Sequence, residues 1–317
     1  MSLRRFLVFV VCFGALSLAD VTPQELIQQG KADEARRALG AEIQQNPNNA
    51  QAYHLLCRLY YQLEQWDTAL KMAEKSVALD PQNSAYHQWL GRAAGRKAEN
   101  ANPFAAFGLA RRVRAEFERA VALDGNNLSA RSDLAEYYME APGFLGGDKD
   151  KSRQQADAVA RHDPALASYI RAQVEEKQGN GHAEVEYKKA ITQSGNLSRY
   201  WTELAYYYRR AGRTQEMEAA INQSLTGAHQ TNLPEYDGAY LLLRTERNLN
   251  AAAQMLRRYV ASENLSEDGP AFNAHFMLGE LLEKQGDRKG AASEFRAALA
   301  LASDYHAAQD ALARVSR

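Results

Sequence analysis

Residues Ala50–Asn83 read AQAYHLLCRLYYQLEQWDTALKMAEKSVALDPQN. Two apolar-periodic runs flank a polar turn, which is the pattern of a helical hairpin. Tyr53, Leu56 and Tyr60 stand three and four residues apart and share one helical face. Ala69, Ala73 and Val77 do the same on the second run. Cys57 and Ala69 are small, as two helices approaching closely require. Pro81 stops the second helix, because proline has no N–H for the ladder and restricts the residue before it.

The pattern recurs along the chain. Pro47 precedes Pro81 by 34 residues, and Ala35 precedes Ala69 by the same interval. Phe272–Leu301 (FNAHFMLGELLEKQGDRKGAASEFRAALAL) repeats it with Leu278, Gly279, Leu282, Gly286, Ala291, Phe295 and Ala298. These residues resemble the tetratricopeptide repeat: a large–Leu–Gly/Ala–Tyr helix, a glycine turn, and an Ala–aromatic–Ala helix ending in proline. No segment alternates as a strand. The resemblance implies an all-α fold, an α-solenoid of antiparallel helix pairs wound into a right-handed superhelix. One pair cannot bury its apolar face alone, so stability is shared between neighbours.

The N-terminus precedes the repeats. Arg4 and Arg5 stand before the apolar run Phe6–Leu18, and Ser17-Leu18-Ala19 places small residues before Asp20. That is the pattern of a cleaved secretory signal peptide over residues 1–19. The run is short for a bilayer span of about 20 residues, so no stable membrane insertion is expected after cleavage. Cleavage leaves Cys57 as the single cysteine, with no intramolecular disulfide possible, which fits an exported, periplasmic or secreted protein.

Residues 20–303 divide into about eight units, and residues 304–317 form a last, capping helix. Two units are enlarged. From Pro81 to Gly125 is 44 residues, and the extra length falls at Lys97–Gly108, where Asn100, Asn102 and Pro103 predict a loop. In the next unit, Pro142, Gly143, Gly146 and Gly147 forbid a continuous helix near residues 141–150. These two connections are expected to meet in a side lobe. The fifth unit, Ala165–Gly195, is short of large anchors in its first helix, and in the seventh Arg247 replaces the turn glycine.

Composition excludes several functions. Of 317 residues, 24% are charged and 45% hydrophobic, with 8 prolines and a net charge of −1, which describes a foldable chain with no electrostatic reason to bind nucleic acid. The seven histidines lack metal-ligand spacing, and no nucleophile elbow occurs. His54 lies one turn before Cys57, a pairing that can activate a thiol, but the repeat register turns Cys57 into a helix contact and His54 away from it. Gly143–Ser152 (GFLGGDKDKS) invites a phosphate reading and fails the required spacing, because Leu145 and Asp150 occupy glycine positions. No enzyme activity and no cofactor are expected.

In the family resembled, the first helix of each pair lines a concave groove. That implies groove positions for His54, Arg58 and Tyr61, then Gln88 and Arg92, then Glu136 and Met139. Tyr206 and Arg209 follow, then Asp237 and Arg244, and last Glu280. Arg58 and Arg92 are 34 apart and should stack on adjacent helices, where two guanidinium groups could hold a carboxylate or lie solvated over apolar surface. Members that bind chaperone tails use Lys and Asn where His54 and Arg58 stand here, which counts against that clamp. The expected function is a non-enzymatic interaction scaffold of the cell envelope, binding a peptide or partner protein in its groove. The alternative is a small-ligand-binding accessory protein, linked to uptake, that uses the enlarged third and fourth units.

Overall fold

The computed structural model describes residues 21–317, so the signal-like segment lies outside the described residues. Among the described residues there are seventeen α-helices and no strand, only two isolated bridges. Sixteen of the helices form eight antiparallel pairs. These are α1 (Pro23–Gln28) with α2 (Ala32–Gln45), α3 (Ala50–Gln62) with α4 (Trp66–Leu79), and α5 (Ser84–Glu99) with α6 (Pro103–Leu123). Next come α7 (Leu128–Glu140) with α8 (Lys149–Val159), α9 (Pro164–Gln178) with α10 (Ala183–Gln193), and α11 (Ser198–Arg210) with α12 (Thr214–Thr226). The last are α13 (Leu233–Arg244) with α14 (Leu249–Val260), and α15 (Ala271–Lys284) with α16 (Arg288–Leu301), followed by the single helix α17 (His306–Val315). The architecture is an all-α solenoid.

Local chemistry recurs with the repeat. The side chains of Asn49, Asn83, Asn127 and Asp163 each accept a bond from a first-turn N–H of the helix that follows, at 2.8–3.1 Å. The prolines act one step earlier than a simple stop: α2 and α4 end before Asn46 and Asp80, which stand extended ahead of Pro47 and Pro81. Small residues let the helices of a pair touch. A Cβ on Gly91 would strike the ring of Phe117, and one on Gly279 would strike the equivalent ring of Phe295.

Four expectations are corrected here. Lys97–Gly108 is not a loop; α5 runs to Glu99 and α6 starts at Pro103. The Asn102 side chain accepts from Ala105 N at 3.1 Å with proline in the first turn, so the same Asn-Pro that reads as a loop is a helix start. The extra residues lengthen α6 past its neighbours. Gly143–Ser152 is likewise only half a loop: Gly143–Leu145 make one 3-10 turn, and Lys149 to Ser152 already belong to α8, capped by Asp148. The two enlarged connections do meet, with the rings of Phe107 and Phe144 stacked at 6.4 Å. Finally, Glu246 and not Arg247 takes the left-handed turn position, at φ +52°, as Glu64 does at +58°. The fifth unit has anchors after all, since Leu166, Ile170 and Val174 are buried one turn apart along α9.

The solenoid does not end in open space. Leu26, Ile27, Leu39 and Leu59 from the first two pairs share one apolar cluster with Phe272, Ala298, Ala302, Tyr305 and Ala308 from the last. Arg36 pairs with Asp304, and Ser303 N donates to Asp33 Oδ2 at 3.0 Å. Gly30, at φ +69°, leaves no room for a side chain against the backbone of Ala271. One turn of the superhelix therefore closes on itself as a ring.

Candidate functional site: the interior of the ring

Closure converts the groove into an interior cavity of about 1130 Å³. Its wall comes from α3, α5, α7, α13 and α15, with Glu267, Asp268 and Pro270 of the α14–α15 connection and Tyr305 before α17. That connection is pinned. The Tyr259 hydroxyl accepts from Ser266 N at 2.9 Å and donates to Gly269 O at 2.6 Å, while Gln62 Nε2 donates to Glu267 O at 2.9 Å.

Trp89 is the centre of the N-terminal wall. The Tyr61 and Trp89 rings meet edge-on at 5.5 Å, and Tyr61 meets Trp66 at 5.3 Å. The guanidinium groups of Arg58 and Arg92 lie 5.7 and 5.0 Å from the Trp89 ring centre. Arg58 and Arg92 thus both approach one indole. Their donors, however, are already taken. Arg58 makes a two-point pair with Glu267 (Nε to Oε1 at 2.8 Å), and Arg92 makes one with Asp133 at 2.7 and 3.1 Å and reaches Ser129 Oγ at 2.9 Å. The carboxylate they hold is the protein's own.

The other groove positions divide. Tyr61, Arg92, Glu136, Arg244 and Glu280 line the cavity. His54 does not: it is buried beside Tyr86 at a ring distance of 4.9 Å, and burial, with Arg58 second, lowers its imidazole to about 3. Gln88 is buried too, donating to Ser129 and Asp133 at 2.7 Å each. Met139 is buried and does not line the cavity. Those three placements correct the expectation, because α3, α5 and α7 are packed on more of their circumference than one repeat shows. Arg209 lies 5.9 Å from the Tyr240 ring centre and Arg244 lies 5.3 Å from it. Tyr206 packs on Tyr240 at 6.3 Å.

Carboxylates set the electrostatics. Eight acidic side chains and three arginines line the cavity. Arg244 approaches Glu280 at 3.5 Å, but Glu136 and Asp268 have no hydrogen-bond or ion-pair partner among the described residues. Burial raises both carboxyls, aided at Glu136 by Asp133 and Glu140 and at Asp268 by Glu267. Asp237 lies one turn before Tyr240 on the same face of α13 and also lacks a partner. It is half-buried and does not line the cavity, and burial, then Glu203 and Asp268, push it up to about 8. Glu203 on α11 is raised as well, by burial first.

Sequence reasoning missed Glu267, Asp268 and Glu203. One signal existed for the first two: turn positions Gly212 and Glu246 are 34 apart, whereas Glu246 and Gly286 are 40 apart, and the excess is the connection that carries them. Trp89, Tyr236 and Tyr240 also wall the cavity.

Residues 26–93 and 236–306 each match a family model described as tetratricopeptide repeat. Those two segments resemble tetratricopeptide repeats. Among solved structures, yeast Tom70 is similar over 90% of this chain and 58% of that chain, at 15% identity and a TM-score of 0.56. A tetratricopeptide repeat protein from Parabacteroides merdae covers 93% of this chain and 99% of its own, at 14% identity and a TM-score of 0.43. The Cut9–Hcn1 hetero-tetramer of APC/C matches at 12% identity over 93% of this chain and 54% of that chain, with a TM-score of 0.42. The likeness to Tom70 speaks for the fold of the repeat array and for nothing finer. No curated protein matches the sequence. No helix among the described residues is long and apolar enough to cross a membrane.

Proposed function

We propose that the protein is a non-enzymatic interaction scaffold whose ring interior receives a protein or peptide partner. The observation that carries this reading is that the first helices of the tetratricopeptide pairs turn aromatic and charged side chains, Trp89, Glu136, Tyr240 and Arg244 among them, onto one shared space and not into the core. Such a wall offers rigid apolar area with fixed polar handles at little ordering cost. Affinity capture beside a Trp89→Ala/Tyr240→Ala variant tests it. A partner recovered by the natural chain and lost by the variant supports interior binding; recovery by both moves the interface to the outer surface. Substituting Arg58 or Arg92 is the poorer test, since each holds a structural ion pair.

The pattern Arg4–Ala19 supports export to the cell envelope as part of the same proposal. Cell fractionation with mass spectrometry of the N-terminus checks it: a chain starting at Asp20 in the exported fraction is the expected result. Closure into a ring favours a second reading, a small-ligand accessory protein, because a closed interior suits a compact guest better than a long helix. Thermal shifts with metabolites, absent with partner peptides, would select that reading.

A further inference from the structure

The extra residues of the third and fourth pairs build a lobe that the interior does not use. Six large apolar side chains are exposed among the described residues, and the three aromatic ones gather here. Phe104 is 93% exposed, Phe107 44% and Phe144 77%. Phe104 and Phe107 stand one turn apart on α6, and the Phe107 ring lies within 8° of parallel to that of Phe144. No core contact explains them. The first buried side chain of α6 is Val113, about 15 Å along the axis from Pro103.

The fold holds these rings outward. In the turn that carries Phe144, Leu145 O accepts from the Tyr137 hydroxyl at 2.9 Å and from Arg114 Nη1 at 3.3 Å. Just after it, Asp148 N donates to Tyr138 O at 2.7 Å. A rigid projection presents its apolar surface at little ordering cost. Exposed apolar surface collected at one place marks a contact with another body.

Charge and area say which body. The acidic groups of the lobe are engaged: Glu99 pairs with Arg96, Asp150 pairs with Arg153, and Asp148 caps α8. Three cations have no carboxylate within ion-pair distance among the described residues. Lys149 reaches only the Lys177 carbonyl, Lys151 lies over the Tyr138 ring, and Arg111 is exposed. Arg111 shares a face of α6 with Phe104 and Phe107 and follows Phe107 by about 6 Å along the axis. Rings at a tip with cations one turn behind them suit a bilayer, where apolar groups enter about 5–10 Å and basic groups stay level with the phosphates. The three phenylalanines expose roughly 400 Å². That is half of the ~800 Å² each partner contributes to a stable protein interface, so the patch is too small to dock a second copy.

We infer that this lobe docks on an anionic phospholipid surface, with Phe104, Phe107 and Phe144 entering it and Arg111, Lys149 and Lys151 facing its phosphates. The contact is peripheral, since no helix among the described residues is long and apolar enough to cross a membrane. None of the three rings lines the interior cavity, so the docked protein keeps its interior free for a partner.

The apolar run Phe6–Leu18 has its own affinity for bilayers, so the test on the full chain uses a local readout. Phe104→Trp and Phe144→Trp each place a fluorophore at the tip, and Val185→Trp places one at an exposed site of α10. All three positions are exposed, so these variants should fold as the natural chain does. Vesicles of phosphatidylglycerol with brominated phosphatidylcholine should quench the added emission of both tip reporters and not that of Val185→Trp. Brominated phosphatidylcholine alone should quench far less. Adding Arg111→Glu/Lys149→Glu to a tip reporter should weaken the quenching titration by about tenfold or more, because each basic group at an anionic surface is worth about a factor of five. Equal quenching at the tip and at Val185→Trp overturns the inference. So does quenching that neither the anionic lipid nor the charge reversal changes. A dimer seen by sedimentation without vesicles, and lost in Phe104→Ser/Phe144→Ser, would overturn it in favour of a second copy.

Discussion

Asp237 shows how a single group can carry a cost written into the fold. Its carboxyl, raised to about 8, is largely protonated at pH 7 in the native state and ionised in the unfolded chain. The unfolded state therefore binds fewer protons between about pH 4 and 8, and native stability falls as pH rises through that window. Asp237→Asn removes the penalty. Denaturant unfolding should show the variant equal to the natural chain near pH 4 and more stable above it, by at most about 1.4 kcal/mol per pH unit. A gain that does not grow with pH would place the carboxyl elsewhere. Cys57 gives the simpler case. It is wholly buried, and burial pushes its thiol up to about 12, against a small opposing pull from Arg58. Alkylation at pH 8 should be negligible in the native protein and fast once denaturant opens it.

Turns and helix contacts set the element scale. Glu64 and Glu246 hold the left-handed turn position that glycine fills at Gly30, Gly212 and Gly286. An L side chain there costs roughly 1–2 kcal/mol, partly offset by the lower entropy of a non-glycine unfolded chain. Glu64→Gly should stabilise by up to about 1 kcal/mol. Glu246→Gly should gain less, because it also loses the ion pair that Lys284 Nζ makes with Glu246 Oε1 at 2.6 Å. Thermal unfolding of the two variants, side by side, checks the order. The contact between Gly279 and Phe295 is the converse: Gly279→Ala forces the ring aside and should destabilise by about 1–3 kcal/mol, with Phe295→Leu restoring part of the loss.

At the scale of the molecule, ring closure replaces the free ends of an ordinary repeat array. Nearest-neighbour stability normally leaves terminal repeats frayed. Here Phe272, with no exposed surface, belongs to the apolar cluster of the first two pairs, and Arg58 spans to Glu267 across 209 residues of sequence. Phe272→Ala should cost about 3–5 kcal/mol and loosen both ends together. Hydrogen exchange should show α1–α2 and α15–α17 gaining exchange in parallel; faster exchange confined to α15–α16 would mean that the ends are not coupled. Arg58→Glu should expand the radius of gyration in solution scattering, and Arg58→Glu with Glu267→Arg should recover it.

Much of this was legible in the residues. The 34-residue interval, the small residues Cys57, Ala69 and Gly279, and the paired apolar runs determine a stack of helix pairs, because helical periodicity and close approach are properties of neighbours in sequence. The same logic put Tyr61, Arg92, Glu136 and Arg244 on inward faces. It failed where two local signals compete: Asn102-Pro103 is a loop mark and a helix start at once, and only the length of α6 decides between them. It failed again for His54, Gln88 and Met139, which a single repeat turns outward and further neighbours bury. The sequence could not show that Arg58 meets Glu267, that Phe272 completes the cluster of the first pair, or that Glu136 of α7, Glu280 of α15 and Asp268 of a connection line one space. Those facts depend on the small rotation between successive pairs summed over eight of them. Repeat chemistry is local, and closure is the accumulated geometry of the whole chain.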